Sequence, residues 1–219
     1  MIAINDNFNS KVTSMPRDKS LSHAKVRQAI KEEFLEKGFE GASIRSIGAK
    51  AGMTSAGLYR HFDDKEAMFS AMVDPLIDSI KKWVERHKNR KYGLVEDGTK
   101  GKDLFGETVV DLFKDVILPQ KEEFRLLLNC SAGTKYENFI HDFVDENQID
   151  FMNALEYLKE QGYKVKNISA EELHMLLSAY LTACLEPIIH DYDDEKIDSY
   201  LKTIQDFFMP GWLNLMGIK

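Results

Sequence analysis

Apolar residues recur along this chain at the three- and four-residue intervals of an α-helix, almost from end to end. Phe69, Met72, Val73, Leu76, Ile77, Ile80 and Val84 form one stripe; Leu173, Leu176, Leu177, Tyr180, Leu181, Leu185 and Ile188 form another. The strict alternation of a half-buried strand is not found, nor is an internal repeat. The pattern predicts an all-α chain. Of the 219 residues, 43% are hydrophobic and 30% charged. That is enough apolar material for a sizeable core, with room for a small unit joined to a larger one.

Start and stop signals divide the pattern into helices. The first is expected from Ser20 or Ser22 to Gly38, carrying Val26, Ile30 and Phe34, with Phe39 placed for the contact that accompanies a glycine cap. A short helix follows from Ser43, broken by Gly52, and Thr54 caps another over Ser55–His61. Asp63 with Glu66 reads as a capping box opening the long helix, which contains Pro75 as a hinge or a fixed kink. Gly93–Asp103 is the clearest loop, and further helices are expected over Leu104–Leu118, Lys121–Cys130, Glu137–Gln161, Ser169–His190 and Asp194–Met209. Ser169 and Glu172 form a second capping box. Beside the broad stripe of the Ser169 helix lies a strip of Met175, Ala179 and Ala183. Faces this wide suit a four-helix bundle shared by two subunits, or closure of the chain's own core.

The net charge of −7 is unevenly spread. Residues 1–65 hold 11 basic and 8 acidic side chains, a balance of +3; the remainder holds 18 and 28, a balance of −10. A basic head on an acidic body lets one end approach phosphates. No run of about 18 apolar residues is present, so no membrane span is expected, and the first twenty residues lack the apolar stretch of an export signal. Cys130 and Cys184 fit a reducing cytoplasm as small core residues.

One segment carries more than periodicity. Residues 43–65 read SIRSIGAKAGMTSAGLYRHFDDK. Ile44 and Ile47 on one short helix and Leu58 on the next are spaced to pack together. Gly48 is small where the helices cross, and Gly52 suits the turn between them. The second helix then presents Ser55, Ala56, Gly57, Tyr59 and Arg60, small residues at its start that let its backbone enter a DNA major groove.

From about Arg27 to Met72 the chain resembles the DNA-binding domain of the TetR/AcrR family of transcriptional regulators. The resemblance rests on Glu36-Lys37-Gly38-Phe39-Glu40, Ser43-Ile44-Arg45-Ser46-Ile47, Ala51-Gly52-Met53-Thr54, Gly57-Leu58-Tyr59-Arg60-His61-Phe62 and Asp64-Lys65-Glu66-Ala67-Met68-Phe69. Phe208-Met209-Pro210-Gly211-Trp212 resembles the ends of some members, and Gly57 departs from the bulkier residues commoner at its place. The resemblance implies a flexible tail over 1–19, a three-helix helix-turn-helix domain over 20–65, and a larger helical effector-binding and dimerisation domain over 66–219. It implies that Ser55, Ala56 and Tyr59 meet bases or flanking backbone; Thr54 and Arg60 join the DNA-binding set, Arg60 reading, like Arg45, equally as solvated surface. Ser43, Tyr59, His61 and Lys65 would reach phosphates; His61 as an edge-packing residue and Lys65 as a solvated charge are the plainer readings. Lys11, Arg17 and Lys19 form either a phosphate-binding arm or an ordinary tail.

The implied function is ligand-responsive regulation, repression above all, by a homodimer on palindromic double-stranded DNA. A helical adaptor without DNA binding is the alternative. No cofactor or enzymatic signature is found. His141-Asp142 and His190-Asp191 are adjacent pairs that do not face each other on a helix, so no metal site is expected. Phe105, Phe113, Phe124, Tyr136 and Phe139 are candidates to line a pocket for a small hydrophobic or drug-like effector, or are ordinary core.

Overall fold

The structure, a computed structural model, describes residues 19–96 and 109–218. Phe105, most of the 1–19 tail and most of the Gly93–Asp103 loop lie outside the described residues. Helix α1 is Lys19–Gly41, α2 Ile44–Ala51, α3 Ser55–Leu58 and α4 Lys65–Glu96. Then come α5 (Val109–Leu112), α6 (Lys121–Asn129), α7 (Phe139–Glu160), α8 (Ala170–Ile189) and α9 (Asp194–Leu215). No strand occurs among the described residues. The all-α expectation holds.

The first stop signal acts as expected. Gly38 takes a left-handed φ of 68° and bends α1. Phe39 turns back onto Phe34 (5.9 Å between ring centres) and Phe69 (5.7 Å). Phe34, Phe69, Ile47 and Leu58 are fully buried. Their apolar core runs without a break from Val26 in α1 to Leu201 in α9, crossing the expected boundary at residue 65. A second, smaller core gathers Leu155, Leu158, Leu173, Trp212, Met216 and Ile218.

Several boundaries differ from expectation, each for a local reason. The long helix is capped by Asp64, whose Oδ1 accepts from the Ala67 amide at 2.7 Å. Glu66 accepts instead from the backbone of Lys135 at 3.3 Å. Gly93 lies within α4, which continues to Glu96; one glycine costs a helix only about 1 kcal/mol. The chain does not stop at Leu118. It passes through a wide turn, Phe113–Ile117, and a tight one, Leu118–Gln120, into α6. Pro119, lacking an N–H, prevents regular helix there. The last helix runs past Pro210 and Gly211 to Leu215, because buried Trp212 and Met216 anchor it in the second core. At Ser169 the capping box forms as the sequence predicts, with bonds of 3.1 Å and 2.8 Å.

Pro75 sits inside α4 and cannot donate to the Ala71 carbonyl one turn earlier. The Arg27 guanidinium of α1 donates to that carbonyl instead, at 3.0 Å. The proline therefore leaves an acceptor that ties α1 to α4.

Candidate nucleic-acid interface

Two glycines shape the unit formed by α2 and α3. Gly52 caps α2 in the left-handed conformation, φ 68°. Gly48 lies under the returning chain: its carbonyl accepts from the Met53 amide at 2.8 Å. A Cβ on Gly48 would stand 2.8 Å from the Met53 carbonyl oxygen, closer than such atoms approach. Thr54 caps α3 through its hydroxyl, which accepts from the Gly57 amide at 3.1 Å. Helix α3 is a single turn, shorter than the expected Ser55–His61. Leu58 ends it, and its carbonyl accepts from both His61 (2.9 Å) and Phe62 (3.1 Å).

Glu33 on α1 holds α2 in place. It is 3% exposed and accepts from the Ser46 hydroxyl (2.6 Å), the Ser43 amide (3.2 Å) and the Lys50 ammonium (2.8 Å). In the sequence Glu33 is marked only as a charge on the apolar face of Ile30 and Phe34. Burial pushes its carboxyl up, but the hydrogen bonds from Lys50, Ser46 and Ser43 outweigh this and hold it below its ordinary 4.5. A folded-state value below the unfolded one stabilises the fold above about 4.5, and that stabilisation is lost as pH falls through the folded value. Glu33→Gln should therefore flatten the loss of stability on acidification. Urea melts from neutral to acid pH check this, and equal slopes for both proteins would refute it.

Around this frame, Ser43, Thr54, Ala56, Tyr59, Arg60 and His61 are exposed, and Ser55 is half-buried. Tyr59, at 51% exposure, is a large ring left in solvent. His61 packs edge-on against His23, 5.6 Å between ring centres. Lys65 is turned inward. Its ammonium donates to the carbonyls of Glu40 (3.2 Å) and Ala42 (3.3 Å) and stands 4.6 Å over the Phe39 ring.

The aromatic residues expected around an effector have different partners. Phe113 and Phe124 are buried and meet edge to face at 6.2 Å, while half-buried Phe139 stacks on Phe143 at 6.1 Å. Tyr136 lies at the head, 5.9 Å from Phe69, with its hydroxyl donating to Asp74 Oδ1 at 2.5 Å. In the second core, Trp212 meets Phe151 at 5.4 Å and Tyr180 at 5.9 Å, and its buried indole N–H has no acceptor among the described residues.

A helix-turn-helix with an exposed reading edge, carried by an otherwise helical chain, defines a DNA-binding transcription regulator. Residues 26–72 match the model for bacterial regulatory proteins of the tetR family. The HTH-type transcriptional regulator PksA of Bacillus subtilis is 28% identical over 185 residues, 78% of this chain and 84% of that protein. An uncharacterised HTH-type regulator of Haemophilus influenzae is 30% identical over 132 residues, 56% of this chain and 59% of that protein. Among solved structures, native NalD, the secondary repressor of the MexAB-OprM multidrug efflux pump in Pseudomonas aeruginosa, superposes with a TM-score of 0.50. It is 18% identical, and the match covers 92% of this chain and 98% of that one, a likeness of fold. Over residues 26–72 the chain matches the tetR-family DNA-binding domain, and over most of its length it is similar to an HTH-type transcriptional regulator. Among the described residues no helix is long and apolar enough to cross a membrane.

Proposed function

We propose that the chain is a ligand-responsive repressor. As a homodimer it grips a palindromic operator through α2 and α3, and a small hydrophobic effector releases it. The observation that carries this reading is the α2–α3 unit, rigidly backed by Glu33 and Gly48, with Thr54, Ala56, Tyr59 and Arg60 exposed. Ser43 and His61, also exposed, are assigned to phosphates. Residues 20–65 form the reading head and 66–219 the sensing and pairing body.

Pairing is supported by large apolar side chains left in solvent on α8 and α9: Met175 at 72% exposure, Leu176 at 43% and Phe207 at 78%. Such faces mark association surfaces. The effector reading is supported by the aromatic walls around Trp212, whose unpartnered N–H suits an apolar ligand bearing one acceptor. The test is fluorescence anisotropy on DNA upstream of the chain's own gene, with sedimentation of the free protein. A monomer at micromolar concentration, or equal affinity for specific and scrambled duplexes, would refute the reading.

The placement of Lys65 adds a sharper expectation. With its ammonium on two carbonyls, Lys65→Ala should lower stability by roughly 1 kcal/mol and leave the salt dependence of binding unchanged. If Lys65 instead neutralises a phosphate, the slope of log K against log salt falls by about 0.9 per half-site. Binding measured across a salt series decides between them.

A further inference from the structure

His141 and Asp145 stand one helical turn apart on α7, and the fold sets His174 of α8 beside both. The sequence pairs His141 with Asp142 by adjacency; in the structure its partner is Asp145, whose Oδ2 lies 3.6 Å from His141 Nε2. His174 Nδ1 lies 3.3 Å from the other carboxylate oxygen, Oδ1. The two imidazoles meet edge to face with centres 5.9 Å apart. One nitrogen from each and one carboxylate oxygen all fall within 4.8 Å of one another.

Gln148, also on α7, fixes the chemistry of His174. Its amide nitrogen donates to the Ala170 carbonyl at 2.8 Å, which turns its Oε1 toward His174 Nδ1 at 3.1 Å. Two oxygen acceptors thus converge on one imidazole nitrogen, an arrangement that only a proton or another cation satisfies.

We propose that His141, Asp145 and His174 form a binding site for a borderline divalent transition metal of the zinc class, clamping α7 to α8. Zinc holds nitrogen and oxygen ligands at about 2.0–2.1 Å, which sets tetrahedral ligands roughly 3.3 Å apart. Each imidazole nitrogen already stands near that edge length from one oxygen of Asp145, His141 at 3.6 Å from Oδ2 and His174 at 3.3 Å from Oδ1. Rotation of the exposed His141 ring and of the carboxylate brings one oxygen and both nitrogens onto a single ion. Two imidazoles and a carboxylate suit zinc, cobalt or nickel. A single carboxylate is too few oxygens for calcium or magnesium. The metal replaces the proton on His174 Nδ1. Its fourth position falls to water or to Gln148 Oε1.

The experiment uses the full chain without an affinity tag. Cobalt(II) is titrated in and its visible absorption followed, and thermal melts are recorded against zinc concentration. One equivalent per chain should bind with the intense bands of tetrahedral cobalt, and zinc should raise the melting temperature. His174→Ala and Asp145→Asn should each weaken binding more than about tenfold and remove the zinc-dependent rise. These side chains lie at the surface, so the metal-free melting temperature of each variant should stay close to that of the parent. His190→Ala, at the separate His190–Glu186 pair, should leave affinity unchanged. Equal titrations for the parent and His174→Ala, or cobalt spectra of the hexa-aqua ion alone, would overturn the assignment.

Discussion

Gly48→Val should cost the protein its grip on DNA and about 2–3 kcal/mol of stability. The clash is with backbone: a Cβ at this position meets the Met53 carbonyl oxygen at 2.8 Å, with Ser55 N and Thr54 C at 3.5 Å. A flexible side chain could swing away, but the Met53 backbone is fixed by the hydrogen bond its amide donates to the Gly48 carbonyl. Relief therefore requires α2 and α3 to separate, which opens the core in which Ile47 and Leu58 are both fully buried. Valine's higher helix propensity than glycine's, worth only a few tenths of a kcal/mol, does not offset this. Because the reading edge is built on the angle between these two helices, operator affinity should fall by about 100-fold, or roughly 2.7 kcal/mol. Ala49→Val serves as the control, one residue on and exposed; it should stay within about 0.5 kcal/mol of the parent. Thermal melts and anisotropy titrations on both variants check this. Parental affinity and melting temperature in Gly48→Val would show that the two helices do not need their close crossing.

The same unit explains why the head was legible in the sequence and much of the rest was not. Ile44, Ile47, Gly48, Gly52 and Leu58 act within fifteen residues, where spacing alone decides who meets whom. Elsewhere the deciding partner is distant. Pro210-Gly211 reads locally as a stop, yet Trp212 and Met216 find Leu155, Leu158 and Leu173, and burial of that size outweighs the local signal. Asp63 and Asp64 are both competent caps, and only the path of the backbone selects Asp64. Glu33 looks like any solvated charge until Ser43, Ser46 and Lys50 close around it. His174 follows His141 by 33 positions, and periodicity does not say which face of α7 it meets. Tyr136 reads as one more pocket aromatic, whereas its ring and hydroxyl both go to α4.

That placement of Tyr136 leads to the largest stability effect expected here. Phe69→Ala should cost about 3–5 kcal/mol and split the unfolding transition. Phe69 is fully buried where three segments converge: Phe34 of α1 at 5.2 Å, Phe39 after the Gly38 bend at 5.7 Å, and Tyr136 at 5.9 Å. The segment between α6 and α7 that carries Tyr136 touches the head at further points. The Phe39 amide donates to the Cys130 carbonyl at 3.0 Å, and Lys135 N to Glu66 at 3.3 Å. Ion pairs of Lys31 with Glu122 (2.8 Å) and Glu123 (2.7 Å) join α1 to α6. Single hydrogen bonds and ion pairs of this kind contribute little alone, so the buried ring is expected to be what makes head and body one cooperative unit. Removing it leaves a cavity at the junction, and the head should then melt before the body. Urea unfolding followed by circular dichroism, with hydrogen exchange on α1–α3, tests this. The parent should show one transition, and the variant two, with the head's amides exchanging first. Tyr136→Phe, which keeps the ring and removes only the hydroxyl, should retain the single transition. If Phe69→Ala unfolds in one step with a loss below about 1 kcal/mol, the shared core does not join the two parts, and any coupling between them must rest on α4 and on the polar contacts of α1 and α4 with the segment around α6.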